Sequence, residues 1–131
     1  MQKPNDLSFY KQWLNLADED LHVVKKVLGD DMCMHVAIFH TQQCAEKALK
    51  AFLLCNKQVA VKRHDLMQIV RQCAQFDPLF NVLLRRLERL NPFQSRTRYP
   101  DEDFIIVTLH MLKASIDDAE YVLHFVKERI G

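Results

Sequence analysis

Apolar residues recur along this chain at three- and four-residue steps in five separate stretches, the signature of helices that bury one face. Tyr10, Trp13, Ala17, Leu21, Val24 and Leu28 place a first helix over about Asp6 to Leu28, stopped by Gly29. From Ala37 to Phe52, Ile38, Thr41, Ala45, Ala48, Leu49 and Phe52 share one side of a helical wheel. His40, Gln43, Lys47 and Lys50 run down the other side, with Glu46 at the margin. This second helix continues to about Asn56, and its small residues Ala37, Cys44, Ala45, Ala48 and Ala51 would let neighbours approach closely, so it is expected at the centre. Asp30 and Asp31 offer carboxylates to its start. Its polar stripe reads as a solvated face, the usual fate of charges on an amphipathic helix, with a binding stripe as the alternative.

Three further helices follow. His64-Asp65 caps one through Leu66, Ile69, Val70, Cys73 and Phe76, and Asp77-Pro78 opens another through Val82, Leu83, Leu87 and Leu90. The last begins near Thr108 and repeats Leu109, Leu112, Ile116, Ala119, Leu123, Val126 and Ile130 regularly enough to form a packing seam against helix one or two, or against a partner chain. Residues 57–66 and 91–104 are the two long loops, and loops of that length in a small domain often carry function. Met111, Val122 and Phe125 add apolar surface to the last helix beyond the seam, more than one short bundle covers, so a homodimer is expected.

Composition narrows the class. The 131 residues suffice for one domain, and with only two glycines and four prolines a turn-rich β architecture is excluded in favour of an all-helical one. No apolar run reaches the roughly 20 residues of a membrane span and the N-terminus lacks a signal-peptide core, so no membrane association and a cytoplasmic location are expected. Cys33, Cys44, Cys55 and Cys73 lack zinc-site spacing and read as buried small hydrophobes, and the six histidines form no His-Glu-x-x-His pair. No metal or cofactor is implied. The net charge of +1 is unevenly spread: −3 over residues 1–46, +8 over 47–98 and −4 over 99–131. Such a basic middle could meet phosphate or RNA, or pair with the acidic outer segments of the same fold or of a second copy.

The fragments WLNLADEDL (13–21), FHTQQCAEKALKAFL (39–53), HDL (64–66) and RYP (98–100), in this order and spacing, resemble the HEPN domain family, the higher-eukaryote and prokaryote nucleotide-binding domain. The resemblance implies a single domain over residues 1–131, an all-α antiparallel up-and-down bundle of about five helices, usually dimeric. It further implies a nucleotide- or RNA-related role, often beside a minimal nucleotidyltransferase in a toxin–antitoxin-like module. Position by position, the family's recurrent polar residues match Gln43, Glu46 and Lys47, then His64 and Asp65, then Arg98 and Tyr99; Lys50 and Arg96 complete the set of ligand-binding candidates. Arg98 could hold phosphate as a bidentate fork and Lys47 as a point charge, while Tyr99 offers a ring to a base. Each also has a structural role open to it: Glu46 with Lys50 as an i,i+4 pair, Asp65 as a cap, His64 on a backbone carbonyl, Arg98 paired with Glu46. Lys47, His64 and Arg98 are expected to converge on one cleft between the central helix and the two loops, with Tyr99 at its rim.

Ribonuclease members of that family resemble one another in an arginine followed, four to six residues on, by a histidine that handles a proton. Here Arg96 and Arg98 are followed over residues 101–105 by Asp-Glu-Asp-Phe-Ile, and His110 lies too far on. Those carboxylates would also repel an RNA backbone. The leading expectation is therefore a non-catalytic protein that binds a nucleotide or pairs with a nucleotidyltransferase. RNA binding is not favoured; the alternatives are a metal-independent ribonuclease with an altered site and a purely structural dimer.

Overall fold

The computed structural model describes residues 9–60 and 65–131. These form an antiparallel up-and-down bundle of five α-helices: α1 (Tyr10–Lys26), α2 (Met34–Cys55), α3 (Leu66–Phe76), α4 (Leu84–Leu90) and α5 (Leu109–Ile130), with no strand among the described residues. The Asp6 end of the first expected helix and the His64 half of the expected α3 cap lie outside the described residues.

α2 is the centre, packed most extensively on α1 and α5 and also against α3. Ile38, Thr41, Ala45, Ala48, Leu49 and Phe52 are all buried, as their spacing requires. The opposite side differs from the expected solvated face. Gln42 and Glu46 are buried and Gln43, Lys47 and Lys50 are half-buried, because α1 lies along that side and covers it.

Local chemistry sets the helix ends. Gly29 takes a positive φ of 92° that lets the chain leave α1, and Asp30 Oδ1 then accepts from Met32 N at 2.9 Å. That carboxylate serves the turn; α2 itself starts at Cys33 without a side-chain cap, contrary to the expected role of Asp30 and Asp31. Asp65 caps α3 by accepting from Met67 N at 2.9 Å, and Thr108 caps α5 by accepting from Met111 N at 3.1 Å. The expected fourth helix is α-helical only in its second half. Asp77 and Pro78 open a 3-10 segment, Pro78–Leu83, in which the fully buried Phe80 and Leu83 stand one three-residue turn apart on the same side. A second 3-10 turn, Asn91–Gln94, held by buried Phe93, occupies the start of what the sequence presents as loop.

The three residues offered as surplus apolar surface on α5 are covered within the chain: Val122 is fully buried, and Met111 and Phe125 pack against the core. Part of the basic middle, Lys47, Lys50, Arg86 and Arg89, is paired with acidic residues of the same chain. Asp118, buried on α5, accepts from Arg86 at 3.0 Å and from Arg89 at 2.8 and 2.9 Å, and Arg129 donates to Asp77 at 2.7 Å. The Arg129 hydrogen bond holds the Asp77 carboxyl below its ordinary range. Because its folded value is the depressed one, the stabilisation it brings is present above the unfolded aspartate range and is lost as pH falls through the folded value. Carboxyl titration by NMR should therefore show Asp77 titrating below an ordinary aspartate, and Arg129→Ala should move it back up; an unchanged midpoint would sink the assignment.

Of the four thiols, Cys44 and Cys73 are buried and Cys33 and Cys55 half-buried, so the expectation of burial holds fully for two. Burial pushes both Cys44 and Cys73 up to about 12, which leaves almost no thiolate at neutral pH. With the protein folded at pH 8, alkylation by iodoacetamide should mark Cys55 well before Cys44 or Cys73, with peptide mapping as the readout.

Candidate functional site

Asp20 is the feature from which the site is built. It stands on α1 between Ala17 and Val24, on the helix side that faces α2, and is only 6% exposed. A carboxylate there needs partners, and α2 supplies two from residues seven apart, hence two turns apart on one side. His40 Nδ1 lies 2.8 Å from Asp20 Oδ1 and Lys47 Nζ lies 2.8 Å from Oδ2. The lysine contact is an ion pair without the alignment of a hydrogen bond, whereas the histidine contact is directional. A carboxylate can only accept, so Nδ1 carries the proton and the opposite ring nitrogen, Nε2, is left for other use.

His40 also lines a cleft of about 360 Å³ between the first turns of α2 and the segment before α5. His35, Val36, Phe39 and His40 form one wall, and Thr97, Arg98 and Tyr99 the other. Buried Thr97 anchors the second wall by donating to Phe93 O at 3.1 Å. Arg98 is exposed, its guanidinium 5.0 Å from the Phe39 ring and 5.5 Å from that of Tyr99, donating to Gln94 O at 3.3 Å and meeting Tyr99 Oη at 3.5 Å. His35 ties the two walls together: its ring stacks on Phe104 at 5.0 Å, and its Nε2 lies 3.1 Å from Ile105 O and 3.3 Å from Val107 N. A cation preset on two aromatic faces, beside an imidazole of fixed tautomer, can bind a phosphate and exchange a proton with what it binds.

The other residues singled out in the sequence fall into separate places. Lys47 reaches this site only through Asp20, and His64 lies outside the described residues, so the expected convergence of Lys47, His64 and Arg98 on one cleft does not appear in the described structure. Gln43, Glu46 and Lys50 belong to a polar network packed on α1: Gln43 donates to Gln42 at 2.7 Å, Lys50 to Glu46 at 2.8 Å, and the Lys50 ammonium stands 5.6 Å over the Trp13 ring. The Glu46–Lys50 pair is thus real but buried rather than superficial. Asp65 caps α3 and also accepts from Asn91 at 3.1 Å, clamping the end of α4 to the start of α3. Arg96 is exposed on the same segment as Arg98 but does not line the cleft.

From the sequence, His40 is placed only on the α2 stripe whose binding role is the alternative, and His35, Phe39 and Asp20 are not singled out. One signal was available: Asp20 interrupts the apolar stripe of α1, and a carboxylate on a core-facing stripe demands a cationic or N–H partner on the next helix. The first turn of α2 offered no comparable mark, since the contact between His35 and residues 105–107 spans 70 positions of sequence.

The HEPN domain family pattern matches residues 10–129. Over 96% of this chain and 93% of its own length, a Methanocaldococcus jannaschii protein named "Putative toxin MJ1304" is 28% identical. The crystal structure of TT1696 from Thermus thermophilus is similar with a TM-score of 0.83 at 27% identity, covering 92% of this chain and 97% of that one. The structure of ST0689, an archaeal HEPN homologue, shares the fold with a TM-score of 0.74 at 22% identity, covering 93% and 98%.

Proposed function

The chain belongs to the HEPN domain family, and from that premise we propose that it binds a nucleotide by its phosphate in the Arg98 cleft, as the HEPN member of a cytoplasmic toxin–antitoxin-like module. The observation that carries this reading is the state of Arg98. Arg86, Arg89 and Arg129 meet carboxylates, whereas Arg98 lies against the Phe39 and Tyr99 rings and, among the described residues, pairs with no carboxylate. A guanidinium preset in that way keeps its donors for an anion. The name of the M. jannaschii relative supports the module, and the family resemblance supports a minimal nucleotidyltransferase as partner. RNA is disfavoured by the exposed Asp101, Glu102 and Asp103 beside the cleft wall, and by the missing histidine after Arg96 and Arg98.

A homodimer belongs to the same reading, on a basis other than α5. Met32, Val36 and Ile106 are 91%, 62% and 69% exposed and cluster around the α2 start, where Val36 also lines the cleft. Light scattering at micromolar protein should give twice the chain mass.

Titration calorimetry with AMP and ATP tests the binding. Wild type should bind at least one of them, and Arg98→Ala should weaken that binding by roughly 10- to 100-fold, the value of a charge-assisted hydrogen-bond pair. Heat-silent titrations with both nucleotides, together with unchanged melting temperatures, would remove the basis for the reading.

A further inference from the structure

We propose that the Arg98 cleft is also a catalytic site, in which His40 hydrolyses a cyclic mononucleotide phosphodiester to the open-chain monoester. The inference rests on the reading of the cleft as a phosphate site and adds chemistry to it. Three observations point to that substrate class.

The first is the histidine itself. Asp20 holds Nδ1 of His40 at 2.8 Å and is held in turn by Lys47, so the ring is fixed in one tautomer with Nε2 free of that contact, and His40 lines the cleft. Buried carboxylate, imidazole and a cleft cation form the set that acid–base chemistry at phosphorus needs: a positioned base, its orienting partner and a group to stabilise charge on the phosphoryl oxygens. Arg98 supplies the last, and both it and His40 lie against the same Phe39 ring, at 5.0 and 5.6 Å.

The second is that the other cleft-wall imidazole is tied down at one nitrogen. His35 is the only other described histidine lining the cleft, and its Nε2 is engaged by the backbone of residues 105 and 107. Displacing a separate alcohol from a linear diester calls for one group to take a proton and a second to supply one. A five-membered cyclic diester relaxes that demand, because ring strain is released as its phosphorus–oxygen bond breaks and the leaving oxygen needs less help from a positioned acid.

The third is size and charge. About 360 Å³ accommodates one mononucleotide, one unpaired arginine matches a monoanionic diester, and the acidic run at residues 101–103 repels a polyanion.

In the step itself, His40 Nε2 takes a proton from water while the water oxygen forms a bond to phosphorus. The bond from phosphorus to one ring oxygen breaks, that oxygen keeps the electron pair and takes a proton from solvent water, and Nε2 returns its own proton to solvent. Asp20 acts as a positioning residue, holding the ring without meeting the substrate.

The test uses the full chain with 2′,3′-cyclic AMP as probe, product followed by chromatography, and AMP binding measured separately by calorimetry. Wild type should open the ring. His40→Gln, which can keep a hydrogen bond to Asp20, should lower kcat by about 10² to 10⁴-fold while leaving AMP affinity within about threefold. Arg98→Ala should weaken binding and turnover together, Asp20→Asn should lower kcat with KM nearly unchanged, and His124→Ala, paired with Glu128 on the outer side of α5, should behave as wild type. AMP binding without any ring opening overturns this inference and leaves the binding reading standing; loss of both overturns both. Turnover that survives His40→Gln overturns the assignment of His40. Cleavage of an oligoribonucleotide with the cyclic mononucleotide untouched overturns the substrate class.

Discussion

Replacing Phe80 with alanine is expected to lower the unfolding free energy by about 3 to 5 kcal/mol, the range for deleting a fully enclosed aromatic ring. Phe80 is 0% exposed and sits between two other rings, Phe52 of α2 at 4.2 Å and Phe125 of α5 at 5.0 Å, the second in an edge-on arrangement. Its truncation removes apolar burial and leaves a cavity bounded by two helices and the 3-10 segment, which cannot all collapse inward together. Stabilities of small domains lie at about 5 to 15 kcal/mol, so the variant should lose a large part of its margin. Urea unfolding followed by circular dichroism reads the change. Leu79→Ala, at a 53% exposed neighbour on the same segment, serves as the comparison and should cost about 1 kcal/mol or less. Equal losses in the two variants would show that the Phe52–Phe80–Phe125 cluster is not the anchor of that segment.

The fold was legible in the sequence because helical periodicity is a local signal and the bundle uses it throughout. The apolar side of α2 and the Leu112, Ile116, Ala119, Leu123 and Val126 part of the α5 seam are buried as their spacing requires, while the seam's ends differ, Leu109 being exposed and Ile130 half-buried. Asp65 and Thr108 sit at helix starts for the reason such residues usually do, a side-chain oxygen on an orphan amide. The site was much less legible. A wheel shows which residues share a side of one helix but not which neighbour covers that side, so the stripe of His40, Gln43 and Lys47 looked solvated until α1 was laid against it. Arg98 and Tyr99 were identified on their own segment, yet their partners His35, Phe39 and His40 come from a helix some 60 residues earlier. That pairing is decided by how the chain folds back between α4 and α5, where a 3-10 turn and short hydrogen-bonded bends replace any periodic pattern. The uneven charge was the ambiguous signal: Asp20 and Glu46 pair with Lys47 and Lys50, and Asp118 with Arg86 and Arg89, so four of the basic residues of the middle are neutralised inside the bundle.

Asp20→Ala should be the most damaging change that removes no core hydrocarbon, with an expected loss of about 2 to 3 kcal/mol. The reasoning is asymmetric: a buried ion pair contributes little over a well-packed apolar substitute, but removing one member strands the other. Here the carboxylate answers two groups, Lys47 Nζ and His40 Nδ1, each at 2.8 Å. Lys47 and His40 keep 23% and 31% side-chain exposure, so both can recover some hydration, and the loss should fall short of the roughly 3 to 5 kcal/mol seen for fully enclosed pairs. A double-mutant cycle separates the contributions. Lys47→Met in the Asp20→Ala background removes the stranded ammonium and keeps the side-chain stem against α1, so it should restore part of the stability, whereas Lys47→Met alone should destabilise by leaving Asp20 with the imidazole alone. Strict additivity of the two changes in urea unfolding would mean that the pair carries no coupling and that Asp20 is tolerated for another reason. The same variants separate stability from site geometry, because Lys47→Met in the Asp20→Ala background cannot return His40 to its fixed tautomer. Ring opening of 2′,3′-cyclic AMP, where wild type performs it, should stay low in the double variant even as its melting temperature recovers.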